Sequence, residues 1–324
     1  MHYYSTNTVD AIMRWVLTEL LKGPFDNLPT KSKEDPKKLN PTSERVGVLL
    51  HLTNPRARLS RSETRGTAIS ALAEFLWYFT KDNKTAFIEH YISHYKKFDE
   101  DGAIYGGYGP RIFKLHGKYD QLSNIIKLLA KNPASRKAVI QLFDGEDLID
   151  THEDIPCTCT LQFLLRNQKL NMLTSMRSND AYWGLPHDIF AFTMIQEIVA
   201  KSVGVELGEY FHCVGSLHLY STHRKRAEEY LSEGIQSVKY PMPAMPEGDQ
   251  QATIHSLLEF ESKSRMSKSE PIPNLDPYWA DLARLLKIHT FLKAEDYQGI
   301  VAVKNEMHSD IFNPHIDKKI DQHL

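Results

Sequence analysis

Cysteine and net charge are both scarce in this chain of 324 residues, and apolar runs are short. Three cysteines are too few for a disulfide scaffold and are typical of a reducing compartment. With 39 Lys and Arg against 41 Asp and Glu, no global field favours a nucleic-acid backbone, although a local basic pocket could bind one phosphate. No stretch approaches the roughly 20 apolar residues that span a bilayer, and the N-terminal segment lacks the pattern of a signal peptide. We therefore expect a soluble cytoplasmic protein with no membrane or nucleic-acid partner.

The composition is otherwise that of an ordinary globular protein. Hydrophobic residues make up 41% of the chain and charged residues 25%, which excludes wholesale disorder and collagen-like repeats. At about 150 residues per domain, the length fits roughly two domains or one large α/β domain with an extension. The composition changes at the Pro-rich segment KYPMPAMPEGDQQ. We therefore predict a main domain over 1–235 and a helical extension over 236–324.

Local patterns predict an α/β arrangement of helices and strands. The polar segment 30–43, with two prolines, predicts a loop, and Arg166-Asn167-Gln168-Lys169 between two apolar runs predicts a hairpin turn. Two or three helices are expected in the extension, one with an apolar face that includes Trp279 and Leu282. The predicted helices are 8–22, 67–79, 120–130, 187–202 and 223–231, and the predicted strands are 45–52, 138–143, 157–165, 170–176 and 217–220.

Cys157 is a candidate nucleophile with an ordinary structural alternative. It follows Pro156 at the start of a predicted strand, and a nearby cation would favour its thiolate. An arbitrary free cysteine, however, is more often a buried hydrophobe. Cys159 and His152 could suggest zinc, but no second ligand pair stands at finger-like spacing. We therefore expect no metal.

Three further positions are suggestive but not decisive. Glu74 lies inside an apolar helical face, where unpaired carboxylates are rare. Asp188 is expected in the first turn of a helix, where the helix dipole favours its charge. His218 and Tyr220 alternate along a strand, which a half-exposed sheet face also explains. The glycine-rich segment 102–111 lacks the spacing of a phosphate-binding loop. These residues alone indicate an enzyme-like α/β protein.

Read in order, several segments resemble the thymidylate synthase family. Its Pro-Cys nucleophile, Arg-Ser-x-Asp, Gly-Leu-Pro and His-x-Tyr-Ser motifs match in order and spacing, and the resemblance covers roughly residues 66–225. It implies a thymidylate synthase-like fold, in which helices cover a mixed sheet, for the catalytic domain 1–235. The matching segments are PCTCTLQF (156–163), SMRSNDAYWGLPHDIFAF (175–192), GSLHLYSTH (215–223), AEFLWYF (73–79) and NPASRK (132–137).

The resemblance implies covalent chemistry on a pyrimidine nucleoside monophosphate, with 5,10-methylenetetrahydrofolate as the cofactor. Cys157 would add to carbon 6, after which carbon 5 attacks the methylene of the folate. Glu74 would manage proton transfers through water. Arg177 would bind phosphate and also stabilise the thiolate. The other implied site residues are Ser178, Asp180, His218 and Tyr220 for the sugar and base, Arg136 and Lys137 for phosphate across a homodimer interface, and Trp77 and Gly184 for the folate.

Some family positions are ambiguous or different in this chain. The N-terminal phosphate-binding arginine is Arg45, with Arg58 and Arg61 as further candidates. Tyr105 or Tyr108 would match the tyrosine near the base, in either register. Lys137 stands where the family has Arg, which weakens bidentate phosphate binding. Ser216 replaces an aspartate, and a helical tail replaces the usual Tyr-Asp-Pro-His-Pro segment, which leaves water access open.

Asp188 is the departure that changes the expected substrate. Thymidylate synthases carry Pro-Phe-Asn after Gly-Leu, whereas this chain has Pro186-His187-Asp188. A carboxylate accepts a hydrogen bond from the 4-amino group of cytosine, and a proton on Asp188 or on the ring nitrogen supplies the second bond. The resemblance therefore implies a cytidylate (CMP or dCMP) 5-hydroxymethylase, in which water quenches the reaction intermediate. The alternatives are a thymidylate synthase that methylates dUMP and a catalytically silent nucleotide-binding or RNA-binding module.

Overall fold

One mixed β-sheet forms the centre of the structure, which is a computed structural model describing residues 2–25, 27–31, 39–60, 62, 68–234 and 241–321. Within these residues the strands are β1 His2–Thr6, β2 Asn27–Lys31, β3 Leu39–Leu52, β4 Val139–Gln141, β5 Thr158–Arg166, β6 Lys169–Asp180 and β7 Glu206–Tyr220. They lie in the order β1-β3-β7-β6-β5-β4, and β2 also pairs with β3. The β1–β3 and β6–β7 pairs are parallel and the other pairs antiparallel. The predicted fold class is confirmed.

Helices cover one face of this sheet. They are α1 Val9–Leu21, α2 Ala68–Phe79, α3 Thr85–Tyr91, α4 Tyr108–Phe113, α5 Gln121–Lys131, α6 Gly184–Ser202, α7 Arg224–Ser232, α8 Gln251–Met266, α9 Pro277–Lys293, α10 Tyr297–Asn305 and α11 Asn313–Asp321. The central helix α6 contacts β6 and β7 on one side and α2 on the other. It is buried along most of its length because a helix that is apolar on all sides must be enclosed. The described helices include none long and apolar enough to cross a membrane.

Local sequence signals account for the elements that were predicted well. Thr8 caps α1 by accepting a hydrogen bond from the Ala11 amide, and Asp120 caps α5 through Ser123. The β5–β6 hairpin turns at Asn167 and Gln168, whose φ angles are 51° and 61°. Positive φ at both central residues is typical of the type I′ turn that suits a two-residue hairpin.

Several predicted boundaries are wrong, including the end of β6, which extends to Asp180, and the start of α6 at Gly184. Residues 39–43 belong to β3 and not to a loop. Pro41 is tolerated there because the β2–β3 pairing is irregular around it. The strand predicted at 217–220 begins at Glu206.

In three neighbouring strands, β3, β7 and β6, the alternation of buried and exposed side chains shifts at the same level of the sheet. The alternation of buried and exposed residues shifts by one position near Val46 in β3, Arg177 in β6 and Gly215 in β7. Because these positions are neighbours in the sheet, the three shifts coincide. Asn179 consequently points into the core, whereas Ser178 lies on the opposite face. This shift brings the end of β6 under helix α6.

The C-terminal residues form four α-helices, where two or three were expected, and they pack on the main body. Helices α8 and α9 contact α2. The segment before α8 is anchored by hydrogen bonds from the Met242 amide to the Arg56 carbonyl (2.8 Å) and from the Met245 amide to Glu197 (3.0 Å). Glu197 also forms a fully buried ion pair with Arg58. The extension is thereby tied to α6.

Candidate active site

A cavity of about 540 Å³ lies where the ends of α2 and α6 meet the start of β5. It brings together side chains from distant parts of the chain, including the predicted nucleophile and two buried carboxyl groups. Among the residues that line it are Glu74, Trp77, Tyr78, Tyr95, Tyr108, Asp154, Cys157, Asn179, Asp180, Trp183, Gly184, His187, Asp188 and Lys319. Four of the residues for which the sequence predicts a chemical role, Glu74, Cys157, Asp180 and Asp188, therefore face one cavity.

Cys157 lies beside a fixed cation. Nη2 of Arg177 is 3.7 Å from the sulfur. The guanidinium is held in place because it donates to the carbonyls of Pro156 (2.9 Å) and Ile155 (3.0 Å), while the Arg177 amide donates to the Cys157 carbonyl. A fixed positive charge at this distance favours the thiolate, which is the nucleophilic form. The remainder of Arg177 is exposed and free to meet an anion.

Glu74 accepts hydrogen bonds from two buried phenols. The hydroxyls of Tyr78 and Tyr95 lie 2.9 and 3.0 Å from the same carboxylate oxygen. Burial raises the pKa of both tyrosines well above the usual value, so both remain hydrogen-bond donors. The carboxylate, only 7% exposed, is thus oriented by two donors at the wall of the cavity. This is a suitable arrangement for a group that moves protons.

Asp188 does not lie where the helix dipole would stabilise its charge. The expectation of a first-turn position is wrong, because α6 begins at Gly184 and carries no acidic residue in its first turn. The carboxyl is instead buried at the cavity and accepts a 2.8 Å hydrogen bond from Nδ2 of Asn179. Burial, and then the nearby charge of Glu74, raise the pKa of Asp188 well above its usual value. The side chain is therefore suited to carry a proton.

Asn179 continues into a buried polar chain. Its Oδ1 lies 2.9 Å from Nε2 of His212, and Nδ1 of His212 lies 2.7 Å from the Tyr210 hydroxyl. Burial lowers the pKa of His212 to about 3. The imidazole is consequently neutral at physiological pH, with one nitrogen donating and the other accepting.

The structure separates the two candidate tyrosines. Tyr108 lines the cavity, where its hydroxyl donates to Thr158 Oγ1 (2.9 Å) and accepts from the Thr158 amide (3.2 Å). Tyr105 stacks on His152 outside the lining residues, and His152 in turn contacts Glu100. The described residues contain no cluster of three or more His, Cys, Asp or Glu side chains suited to a metal ion.

The residues expected around the sugar lie on neighbouring strands next to the cavity. His218 pairs with Asp180 across β6 and β7, and its ring contacts Tyr220 edge-on at 5.0 Å. Nδ1 of His218 lies 3.5 Å from the Ser178 hydroxyl. Asp180 accepts from the amides of Tyr182 and Trp183 and so caps the turn into α6. These four side chains form one polar edge, of which Asp180 lines the cavity itself.

Of the N-terminal arginine candidates, neither Arg45 nor Arg58 reaches this cavity. Arg45 donates to the carbonyls of Glu44 (2.9 Å) and Glu19 (2.5 Å), and it is absent from the lining. Arg58 is buried in an ion pair with Glu197 and is also absent from the lining. Arg61 lies outside the described residues.

Arg136 and Lys137 are exposed on the loop before β4 and are also absent from the lining of this cavity. Arg136 instead borders a separate surface depression near Asn167.

The two residues expected at the folate site, Trp77 and Gly184, both line the cavity. Trp77 lines the cavity and packs edge-on against Tyr95 at 5.4 Å. Its Nε1 is buried and has no hydrogen-bond partner among the described residues, so it is available to a ligand acceptor. A Cβ atom on Gly184 would lie 2.9 Å from Nδ2 of Asn179 and 3.3 Å from Oδ2 of Asp188. The missing side chain therefore lets the start of α6 approach these two residues.

Several site residues were not singled out from the sequence. Tyr95, on the 3-10 turn Ser93–Phe98, carried no motif, and Lys319 comes from the last helix. His212 lies 33 residues from Asn179, and the parallel pairing of β6 with β7 brings them together. Asn179 stood in the recognised Arg-Ser-x-Asp motif, but at its variable position.

Comparison with known proteins identifies relatives of the chain. A family model described as "Thymidylate synthase" matches residues 54–262. The chain is 29% identical over 189 residues to the thymidylate synthase of Listeria monocytogenes serotype 4b (strain F2365), covering 53% of this chain and 58% of that protein. It is 31% identical over 159 residues to that of serotype 4a (strain HCC23), covering 49% of each. The chain thus spans about half the length of these curated relatives.

A solved structure is similar in fold. Thermostable thymidylate synthase A from Bacillus subtilis matches with a TM-score of 0.58 and 22% identity, over 70% of this chain and 84% of that chain. The thymidylate synthase-like fold expected from the sequence is therefore confirmed.

Proposed function

We propose that this chain, which belongs to the thymidylate synthase family, is a folate-dependent 5-hydroxymethylase of a cytidine monophosphate, CMP or dCMP. The cofactor would be 5,10-methylenetetrahydrofolate. The observation that carries the choice of base is Asp188, a buried carboxyl with a raised pKa that stands at the cavity in place of the asparagine expected in thymidylate synthases. Cytosine presents a 4-amino donor and an N3 acceptor, and a protonated carboxyl complements both.

Cys157 and Glu74 would perform the steps on the pyrimidine. The thiolate, stabilised by Arg177, adds to carbon 6 and so makes carbon 5 nucleophilic. Glu74 directs proton transfer through water, because two phenols hold its carboxylate at the cavity. Once carbon 5 has gained the one-carbon unit, which would release tetrahydrofolate, the proton on carbon 5 passes to water held by Glu74. A water molecule then adds to the exocyclic carbon and loses a proton to give the hydroxymethyl group, and the Cys157 sulfur leaves as a thiolate while the ring double bond re-forms.

The aromatic wall of the cavity supports a folate site. Trp77, Tyr95 and Phe98 supply flat apolar surface, and the unpartnered Nε1 of Trp77 can donate to the ligand. When bound, the folate supplies the one-carbon unit. Lys319 brings the C-terminal extension to the same space. The C-terminal extension therefore forms part of the cavity wall, in place of the closing segment expected in the family. This difference is consistent with a reaction in which water enters the site as a reactant.

A homodimer would complete the phosphate site. The face of the sheet opposite the helices carries half-exposed side chains, such as His51 stacked on Phe211 at 4.4 Å. Pairing of this face between two copies would cover it. Arg136 and Lys137, which do not reach their own cavity, would then contribute charge to the site of the other subunit.

Product analysis tests the reaction directly. The protein is incubated with 5,10-methylenetetrahydrofolate and, separately, with CMP, dCMP, UMP or dUMP, and the products are identified by mass. We expect addition of CH₂O to a cytidine nucleotide. A product that had gained CH₂ from dUMP would identify a thymidylate synthase instead.

A second comparison separates catalysis from binding. Cys157→Ala should abolish turnover but leave nucleotide binding, whereas Cys159→Ala, outside the lining residues, should retain turnover. Wild-type protein that binds nucleotide without turnover would favour the catalytically silent module.

A further inference from the structure

A continuous series of hydrogen bonds connects buried side chains of the core to Oδ2 of Asp188. It joins the Tyr210 hydroxyl to His212 (2.7 Å), His212 to Asn179 (2.9 Å) and Asn179 to Asp188 (2.8 Å). Tyr210 and His212 are fully buried, Asn179 is 3% exposed and Asp188 7%. Because solvent does not compete with these bonds, each group must satisfy its neighbour.

The direction of the chain follows from the asparagine amide. Nδ2 of Asn179 donates to Oδ2 of Asp188, so Oδ1 of Asn179 faces His212 and requires a donor there. A neutral imidazole has one N–H, which must be on Nε2. Nδ1 of His212 therefore accepts, and the Tyr210 hydroxyl donates to it. All three bonds point toward Asp188.

This direction decides which oxygen of Asp188 can carry a proton. Oδ2 already accepts a hydrogen bond from Nδ2 of Asn179, so a proton on Oδ2 would point at another N–H donor. The proton of the neutral acid is consequently placed on Oδ1. Burial raises the pKa of the carboxyl and so favours this neutral form.

The location of that proton matters because a neutral carboxyl can otherwise pair with either base. Cytosine needs a donor opposite N3 and an acceptor opposite the 4-amino group, whereas uracil needs the reverse. A carboxyl whose proton moves freely between its oxygens satisfies both patterns. One whose proton is fixed satisfies one of them.

We infer that Tyr210, His212 and Asn179 are positioning residues that fix the proton of Asp188 on Oδ1 and thereby make the site discriminate between cytosine and uracil. The identity of the selected base, cytosine, rests on the proposed function. In that arrangement Oδ1–H donates to N3 and Oδ2 accepts from the 4-amino group. The three hydrogen-bonded residues Tyr210, His212 and Asn179 themselves touch no reacting atom.

Base discrimination in His212 variants tests the inference. His212→Leu removes both ring nitrogens, so the Asn179 amide can turn and the proton is no longer fixed. We expect the cytidylate-to-uridylate ratio, in Kd and in kcat/KM, to fall roughly threefold to tenfold, the effect of one neutral hydrogen bond. His212→Gln retains a donor and an acceptor and should restore most of the ratio.

Two further variants guard against a merely structural effect. Tyr210→Phe leaves the ring in place but frees Nδ1 of His212, so the ratio should fall even if His212→Leu does not fold. Tyr78→Phe alters a phenol on Glu74 and should slow turnover of both nucleotides without moving the ratio.

The histidine tautomer provides a readout that does not depend on activity. ¹⁵N NMR of the wild-type protein, with His212 identified by loss of its signals in His212→Gln, should show a proton on Nε2 and none on Nδ1. A proton on Nδ1 would mean that the chain runs the other way, which overturns the inference.

The outcomes separate the inference from the proposed function. An unchanged ratio in a folded His212→Leu or Tyr210→Phe variant rejects the positioning chain, whichever base the wild type prefers. A wild-type preference for uridylate rejects the proposed function. Loss of that preference in His212→Leu would still support the role of Tyr210, His212 and Asn179 as positioning residues.

Discussion

At the scale of single residues, the chemistry of this site depends on atoms that differ little in shape. Asp and Asn occupy nearly the same volume, yet one accepts where the other donates. Asp188 is held at the cavity by Asn179, and that contact also limits which of its oxygens is available to a ligand. Exchange of one side-chain atom therefore changes recognition more than packing.

Asp188→Asn should shift the preference from cytosine toward uracil nucleotides. The amide places a donor where cytosine also donates, and an unpaired buried group costs roughly 1–3 kcal/mol, or about 5- to 150-fold in the ratio of kcat/KM values. Steady-state kinetics with each nucleotide measure this ratio. Asp154→Asn, the same exchange at another carboxyl of the cavity, should leave the preference unchanged. A preference for cytosine that survives Asp188→Asn would contradict the recognition scheme.

His212 should make the fold sensitive to acid. Burial lowers its pKa to about 3, against about 6.5 in an unfolded chain. Below pH 6.5 the unfolded state binds a proton that the native state does not, so the free energy of unfolding falls as the pH drops toward 3 and is unaffected above 6.5.

The loss attributable to this residue is roughly 2 kcal/mol at pH 5. Urea unfolding at pH 8 and pH 5 should show it in the wild type but not in His212→Gln. His255→Gln, on the exposed side of α8, serves as the control. Equal acid sensitivity in His212→Gln and the wild type would disprove the assignment.

At the scale of elements, what could be predicted from the sequence is what local chemistry determines. The Thr8 cap, the apolar periodicity of α5 and the Asn167-Gln168 turn each act within a few residues. The first half of β7 was missed because the phase shift near Gly215 interrupts its alternation. A pattern of period two cannot be recognised across such a shift.

In the candidate site too, residues in local motifs could be predicted, whereas contacts between distant parts of the sequence could not. Cys157, Glu74 and Asp188 were identified because family motifs carry them. The contact of His212 with Asn179 depends on the register between β6 and β7, which no local pattern specifies. The burial of Arg58 was not foreseen because its partner Glu197 lies 139 residues further along the chain. Long-range pairing therefore determined the parts that sequence reasoning missed.

Helix α6 should lose its alignment with β6 in Gly184→Ala. The new Cβ would lie 2.9 Å from Asn179 Nδ2, closer than carbon and nitrogen normally approach, so Asn179 or the helix must shift. We expect a weaker cytosine preference and slower turnover, measured with CMP and UMP. Gly145→Ala, where a Cβ meets nothing within 4 Å, is the matched control. Wild-type kinetics in Gly184→Ala would show that the close approach has no functional role.

At the scale of the whole molecule, the two faces of the sheet have different environments. Helices cover one face, while the other presents His51, Phe211 and other half-exposed side chains. Arg136 and Lys137 lie apart from their own cavity. Both features are explained if two copies pair through the uncovered face.

Mixing two inactive variants tests this assembly. An Arg136→Ala, Lys137→Ala chain and a Cys157→Ala chain are each expected to be nearly inactive at low nucleotide concentration. Hybrid dimers would contain one intact site of two, so an equal mixture should regain roughly one quarter of wild-type activity. A mixture of Cys157→Ala with Asp188→Ala, whose defects lie in the same cavity, should regain none. Light scattering that shows a monomer, or the absence of recovery, would exclude shared sites.

Lys319 has a practical consequence for binding experiments on this protein. Helix α11 brings this side chain to the wall of the candidate cavity, so an affinity tag fused after this helix would be tethered close to that cavity. A polyhistidine tail there would place imidazoles near the proposed nucleotide site. Measurements of nucleotide affinity should therefore use protein from which any such tail has been cleaved.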